Sequence, residues 1–98
     1  MEKNKISIVV PCFNEKEALP LFYNKIIQVF NQMSQESETA GLSYELIIVD
    51  DGSMDGTLDV AKELAVNDSS VKYISFSRNF GKEAAMYAGL QHAVGEYV

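Results

Sequence analysis

Tyr44-Glu45-Leu46-Ile47-Ile48-Val49-Asp50-Asp51-Gly52-Ser53-Met54-Asp55-Gly56-Thr57 is the stretch that decides the fold. Its first half is apolar almost throughout and rich in β-branched residues, the pattern of a strand buried on both faces. An acidic pair and a glycine then stop it. Downstream, Leu58, Ala61, Leu64 and Ala65 repeat at helical steps, so a helix is predicted there, with Ser53 as candidate N-cap and Asp55 in the first turn.

The same alternation extends outward in both directions. Upstream, Ile6-Ser7-Ile8-Val9-Val10 is a strand ended by Pro11. Leu19, Phe22, Ile26, Phe30 and Met33 form one stripe on a helix from about Lys16 to Gln35, with Pro20 tolerable only in its opening turn. A polar connection, Gln35–Ser43, leads into the central stretch. Downstream, Val71-Lys72-Tyr73-Ile74-Ser75-Phe76 is a third strand. A third helix from about Gly81 to Ala93 carries the small residues Ala84, Ala85, Ala88 and Gly89, which allow close approach to a sheet. Tyr87, Leu90 and Met86 are expected in the core. Gly95-Glu96-Tyr97-Val98 reads as the start of a fourth strand, and the chain is expected to be the first part of a longer one. The order β-α-β-α-β-α-(β) predicts an α/β architecture with a mainly parallel sheet and right-handed crossovers.

Composition narrows the function classes. The chain has 98 residues, enough for a single domain with one core. It is 47% hydrophobic and 22% charged, as soluble globular domains are. Eight basic against fourteen acidic residues leave a net charge of −6, which does not attract a nucleic-acid backbone. A local nest of N–H groups can still hold a small phosphorylated ligand. Cys12 is the only cysteine, so there is no disulfide framework. No stretch approaches the roughly 20 apolar residues of a membrane span, and Ile6–Val10 does not read as a signal peptide.

In such sheets ligands bind beyond the carboxyl ends of the strands, near the point where strand order reverses. Three polar, turn-rich loops fall at that edge: Pro11-Cys12-Phe13-Asn14-Glu15, Asp50 to Thr57, and Ser77-Arg78-Asn79-Phe80-Gly81-Lys82. A carboxylate held at a strand end, Asp50 or Asp51, can accept from a ribose hydroxyl or a base N–H; paired, they can bind a divalent cation, or they can simply cap the following turn. Glu15 is a further acceptor. Arg78 and Lys82 are the cations of the three loops and candidates to counter a pyrophosphate. Cys12 reads as small filler and not as a nucleophile, and His92 as a helix-surface residue. Neither G-x-G-x-x-G after the first strand nor G-x-x-x-x-G-K-[ST] is present, which disfavours a dinucleotide domain and a P-loop nucleotidase.

Taken together, Ile8-Val9-Val10-Pro11-Cys12-Phe13-Asn14-Glu15 resembles the VVPxxNE opening of family-2 inverting glycosyltransferases, and Val49 to Thr57 is similar to their VDDGSxDGT segment without a gap. Ser77 to Ala85 resembles the subgroup that glycosylates polyprenyl phosphates, the dolichol-phosphate mannosyltransferase-like and bactoprenol glucosyltransferase-like enzymes. The resemblance implies a Rossmann-like nucleotide-diphospho-sugar transferase fold, of which residues 1–98 are the nucleotide-binding half. It implies a nucleotide pocket lined by Pro11, Asn14 and Glu15, with Cys12 and Phe13 filling the loop. Asp50 and Asp51 would face the ribose or base, Ser53 would belong to the same site, and Gly81, Lys82 and Ala85 would form another wall.

The partners implied are a nucleotide-diphospho-sugar, with a UDP-sugar preferred over a GDP-sugar, and a lipid-phosphate acceptor. Mg²⁺ or Mn²⁺ is implied as cofactor, with ligands and catalytic base expected beyond Val98, so the chain alone is expected to be inactive. A cytoplasmic site is implied, at the inner face of the membrane where further segments attach it; oligomeric state is left open, with a homo-oligomer as one option. Two competing readings are a signalling receiver-like domain, for which no later lysine-bearing strand is present, and a catalytically inert nucleotide-binding or interaction module.

Overall fold

A computed structural model describes residues 2–36 and 41–97, so Val98 and part of the Gln35–Ser43 connection lie outside the described residues. The elements follow in the order β1 (Glu2–Cys12), α1 (Ala18–Met33), β2 (Ser43–Asp50), α2 (Thr57–Asn67), β3 (Val71–Ser75), α3 (Lys82–His92) and β4 (Gly95–Tyr97). The strands form one sheet in the order β3-β2-β1-β4. All its pairings are parallel.

Two crossovers step one way across the sheet, from β1 to β2 to β3, and the third steps back past β1. Right-handed connections therefore put α1 and α2 on one face and α3 on the other. The cores agree. Leu46, Ile48 and Cys12 pack with Leu19 of α1 and Ala61 of α2, whereas Ile47 and Val49 pack with Ala85 of α3. β2 is enclosed on both faces from Glu45 to Asp50.

Several boundaries differ from those expected. Pro11 does not end β1. Its fixed φ suits extended backbone, and the ladder with β2 runs on to Cys12 opposite Asp50. Ser53 is not an N-cap. Gly52 and Gly56 take positive φ, 74° and 96°, and hold the chain in turns until Thr57. The carboxylate before the helix is that of Asp55, whose Oδ1 accepts from the Thr57 N–H at 3.0 Å. Met86, Tyr87 and Leu90 are not in the core: they are 41%, 65% and 47% exposed. The face of α3 that meets the sheet is the small-residue one, Ala85 and Gly89.

Two polar nodes, one partly buried and one buried, brace the sheet away from the three loops at its carboxyl edge. Asp68 Oδ2 accepts from the hydroxyls of Tyr23 and Tyr44, both at 2.6 Å, joining α1, β2 and the α2–β3 turn. Glu45, 1% exposed, is held by Lys72 Nζ at 2.7 Å, by the Ser7 hydroxyl and by the Val94 N–H at 2.7 Å. Burial alone would raise its pKa, but the bonds from Lys72, Ser7 and Val94 outweigh it and hold the carboxyl down at about 2.

Two predictions follow from the packing and the charge. A Cβ on Gly89 would overlap Val9 Cγ1. Gly89→Ala is therefore expected to destabilise by on the order of 1 kcal/mol in urea titration, because the clash exceeds the gain in helix propensity. Glu45 stabilises the fold fully above its ordinary pKa of about 4.5, and that contribution is lost as pH falls from there to about 2. The difference corresponds to roughly 3 kcal/mol. Urea midpoints measured across that window should drop more steeply for the wild type than for Glu45→Leu.

Candidate functional site

The acidic pair that ends β2 divides its work between the two faces of the sheet. Asp50, 2% exposed, turns toward the α1–α2 side, where its Oδ1 accepts from the Ser53 N–H at 3.3 Å. Asp51, 3% exposed, turns toward the α3 side and accepts from two successive amides of the third loop, Phe80 N–H at 2.7 Å and Gly81 N–H at 3.0 Å. Its own N–H donates to the Cys12 carbonyl at 2.8 Å, extending the β1–β2 ladder by one step. Gly52 has to be glycine here. Its φ is positive, and a Cβ would overlap the backbone of Arg78 and Asn79.

The rest of the loop holds the first loop in place. Three consecutive amides, those of Asn14, Glu15 and Lys16, donate to Ser53 Oγ at 2.8 Å, Thr57 Oγ1 at 2.9 Å and Asp55 Oδ2 at 3.2 Å. Asn14 Oδ1 returns the contact by accepting from the Met54 N–H at 2.9 Å. Asn14 sits at φ 54°, a left-handed conformation that asparagine tolerates better than most residues. Asp55 and Thr57 thus position the site although they were not expected in it. The signal was present as Asp-Gly-Thr just ahead of a helix, where a carboxylate two residues before a threonine favours an Asx-type turn.

Between the stitched loops lies an open cavity of about 240 Å³, lined by Pro11, Cys12, Phe13, Glu15, Asp51 and Lys82. It sits at the carboxyl end of β1, where strand order reverses. Phe13, 46% exposed, is the aromatic residue of its lining. An adjoining hollow of about 220 Å³ runs behind the same loop against α1, past Leu19 and Phe22.

The remaining expected residues fall elsewhere. Asn14 and Ser53 are the stitching pair beside the cavity. Asp50 lies beneath the loop and does not line it. Gly81 is reached through its amide only. Ala85 is fully buried against Ile47 and Val49, so it is core and not a wall facing a ligand. Arg78 and Lys82 are separated as well. Lys82 lines the cavity, whereas the Arg78 guanidinium lies 5.9 Å from the Phe80 ring centroid and borders a different hollow between the β2 and β3 loops.

Cys12 is buried at the floor. Burial pushes its thiol up to about 11, and the charges of Glu15 and Asp50 push the same way, so it is no nucleophile at neutral pH. His92 is exposed at the end of α3, its Nδ1 2.9 Å from the Ala88 carbonyl oxygen. Among the described residues no group of three or more His, Cys, Asp or Glu side chains is placed to hold a metal ion. Asp50 Oδ1 and both Asp51 oxygens already accept backbone N–H bonds. The metal that the resemblance implies thus finds no assembled ligand set among the described residues. No helix among the described residues is long and apolar enough to cross a membrane.

Comparison with known proteins matches residues 7–98 to the model of glycosyl transferase family 2. The chain belongs to that family. A prophage bactoprenol glucosyl transferase homolog of Escherichia coli (strain K12) is 45% identical over 94 residues, covering 96% of this chain and 28% of that protein. The chain thus spans under a third of the length of this relative. Among solved structures, S. aureus TarS matches with a TM-score of 0.69 and 26% identity, covering 94% of this chain and 25% of that one. A mannosyltransferase of Pyrobaculum calidifontis, solved in complex with GDP-Man and Mn²⁺, shares the fold with a TM-score of 0.64 at 23% identity, over 91% of this chain and 24% of that one. The α/β fold expected from the sequence is that of these glycosyltransferases.

The state of Cys12 is open to chemical test. In the folded protein at pH 8 the thiol should resist iodoacetamide, and in urea it should react at the rate of a free cysteine, as read by mass spectrometry. Equal rates in both conditions would contradict the burial described here.

Proposed function

We propose that this chain is the donor-nucleotide half of a glycosyltransferase that moves a hexose from a nucleotide-diphospho-sugar to a polyprenyl phosphate. The observation that carries the reading is the cavity at the strand reversal, built from the first and third loops and held by the second. The similarity to a bactoprenol glucosyl transferase homolog supports the acceptor class, and the preference for a UDP-sugar rests on the third-loop motif, Ser77 to Ala85.

In this reading the Phe13 ring packs against the base, a use suited to an exposed aromatic face. Glu15 and Asp51 accept from base N–H or ribose hydroxyl groups, and Lys82 faces the diphosphate. Asp51 arrives at the cavity already fixed by two amides, so little freedom is lost when a ligand binds. The acceptor phosphate is anionic at neutral pH and needs little help from a base to attack the anomeric carbon. A divalent cation enters the proposal through residues outside this chain. A lipid acceptor places the whole protein at the inner face of a membrane.

Calorimetric titration of the full-length protein against UDP-glucose, GDP-mannose and ATP, with Mn²⁺ present, tests this. UDP-glucose is expected to bind and ATP not to. Lys82→Ala and Asp51→Ala should each weaken binding by about tenfold or more, the usual worth of a bond to a charged group. Binding of neither diphospho-sugar by a folded protein would favour an inert interaction module.

A further inference from the structure

The Glu45 node lies at the opposite end of the sheet from the cavity, and the proposed donor site does not use it. Glu45 starts the buried part of β2 on the α3 face, opposite Ser7 in the β1–β2 register. Its Oε2 accepts from the Val94 N–H at 2.7 Å and from the Ser7 hydroxyl. That hydroxyl oxygen in turn accepts from the Gly95 N–H at 2.8 Å. Lys72 Nζ closes the node from β3 through the other oxygen, Oε1. Four strands therefore meet at one carboxylate, and the two amides it gathers belong to the junction where the chain leaves α3 and begins β4.

β4 pairs with β1, and the register of that pairing shifts between Glu2 opposite Gly95 and Ile6 opposite Tyr97. Gly95 is chosen for the approach, since a Cβ there would crowd Ser7 Oγ and the Lys5 carbonyl. We infer that Glu45 is a positioning residue: it fixes where the chain returns to the sheet after α3, holding Val94 directly and Gly95 through Ser7, and so places the strand reversal at which the cavity opens. The buried acceptor is what matters. Lys72, whose side chain is 51% exposed, reaches the node through Oε1 and balances its charge.

Hydrogen exchange at single-residue resolution on the full-length protein separates this role from general core stability. Glu45→Leu is expected to speed exchange at Val94 and Gly95 by about tenfold or more relative to any change at Ile47 and Ile48. Ser7→Ala should deprotect Gly95 and leave Val94 protected. Lys72→Met should leave both protected. Because Ser7→Ala and Lys72→Met keep the apolar core intact, they decide the matter even if Glu45→Leu does not fold. A common factor at all four amides in Glu45→Leu, or loss of Val94 protection in Ser7→Ala equal to that at Gly95, would overturn the inference.

Discussion

β2 is closed over by helices on both faces, and a strand so enclosed can place polar groups only where it starts and where it ends. Everything else in the molecule is arranged around that constraint. At its start Glu45 gathers β1, β3 and the α3–β4 junction. At its end the acidic pair parts, one carboxylate to each face: Asp50 accepts from its own loop at Ser53, and Asp51 from the loop beyond β3. Between the two ends, the side chains of Leu46 to Val49 are apolar and pack alternately into the two cores. The costs of burying a carboxylate are offset by three donors at Glu45, two at Asp51 and one at Asp50.

The loop after β2 is first a scaffold. Ser53, Asp55 and Thr57 use their side chains to hold three backbone amides of the first loop, and Asp51 holds two of the third. A motif that reads as a ligand site is therefore spent largely on bringing other residues to the ligand. The cavity draws Phe13, Glu15 and Lys82 from the neighbouring loops, and from the motif itself only Asp51 lines it. Such a division suits a binding site on loops, because loops are precise only when something rigid holds them.

Strand positions, helix order, the parallel sheet and the three-loop edge were legible in the sequence, because each rests on a local period or a stop. β-branched runs such as Ile6–Val10 report strands, and an acidic pair followed by glycine reports a strand end. What could not be read was direction. Asp50 and Asp51 are adjacent and chemically identical, and only strand parity assigns one to the cavity. Ala85, Met86 and Tyr87 are equally adjacent, and the close approach of α3 to Val9 and Val49 selects the small face and leaves the large residues outside.

By itself, then, the sequence determined which elements form, their order and the chemistry available at one edge, since hydrophobic period and turn chemistry act over a few residues. Only the tertiary structure decided that Asp55 and Thr57 hold the first loop, that Lys82 reaches the cavity while Arg78 does not, and that Glu45 governs β4. Those outcomes depend on contacts between residues far apart in the chain, whose geometry exists only once the crossovers have placed the strands side by side.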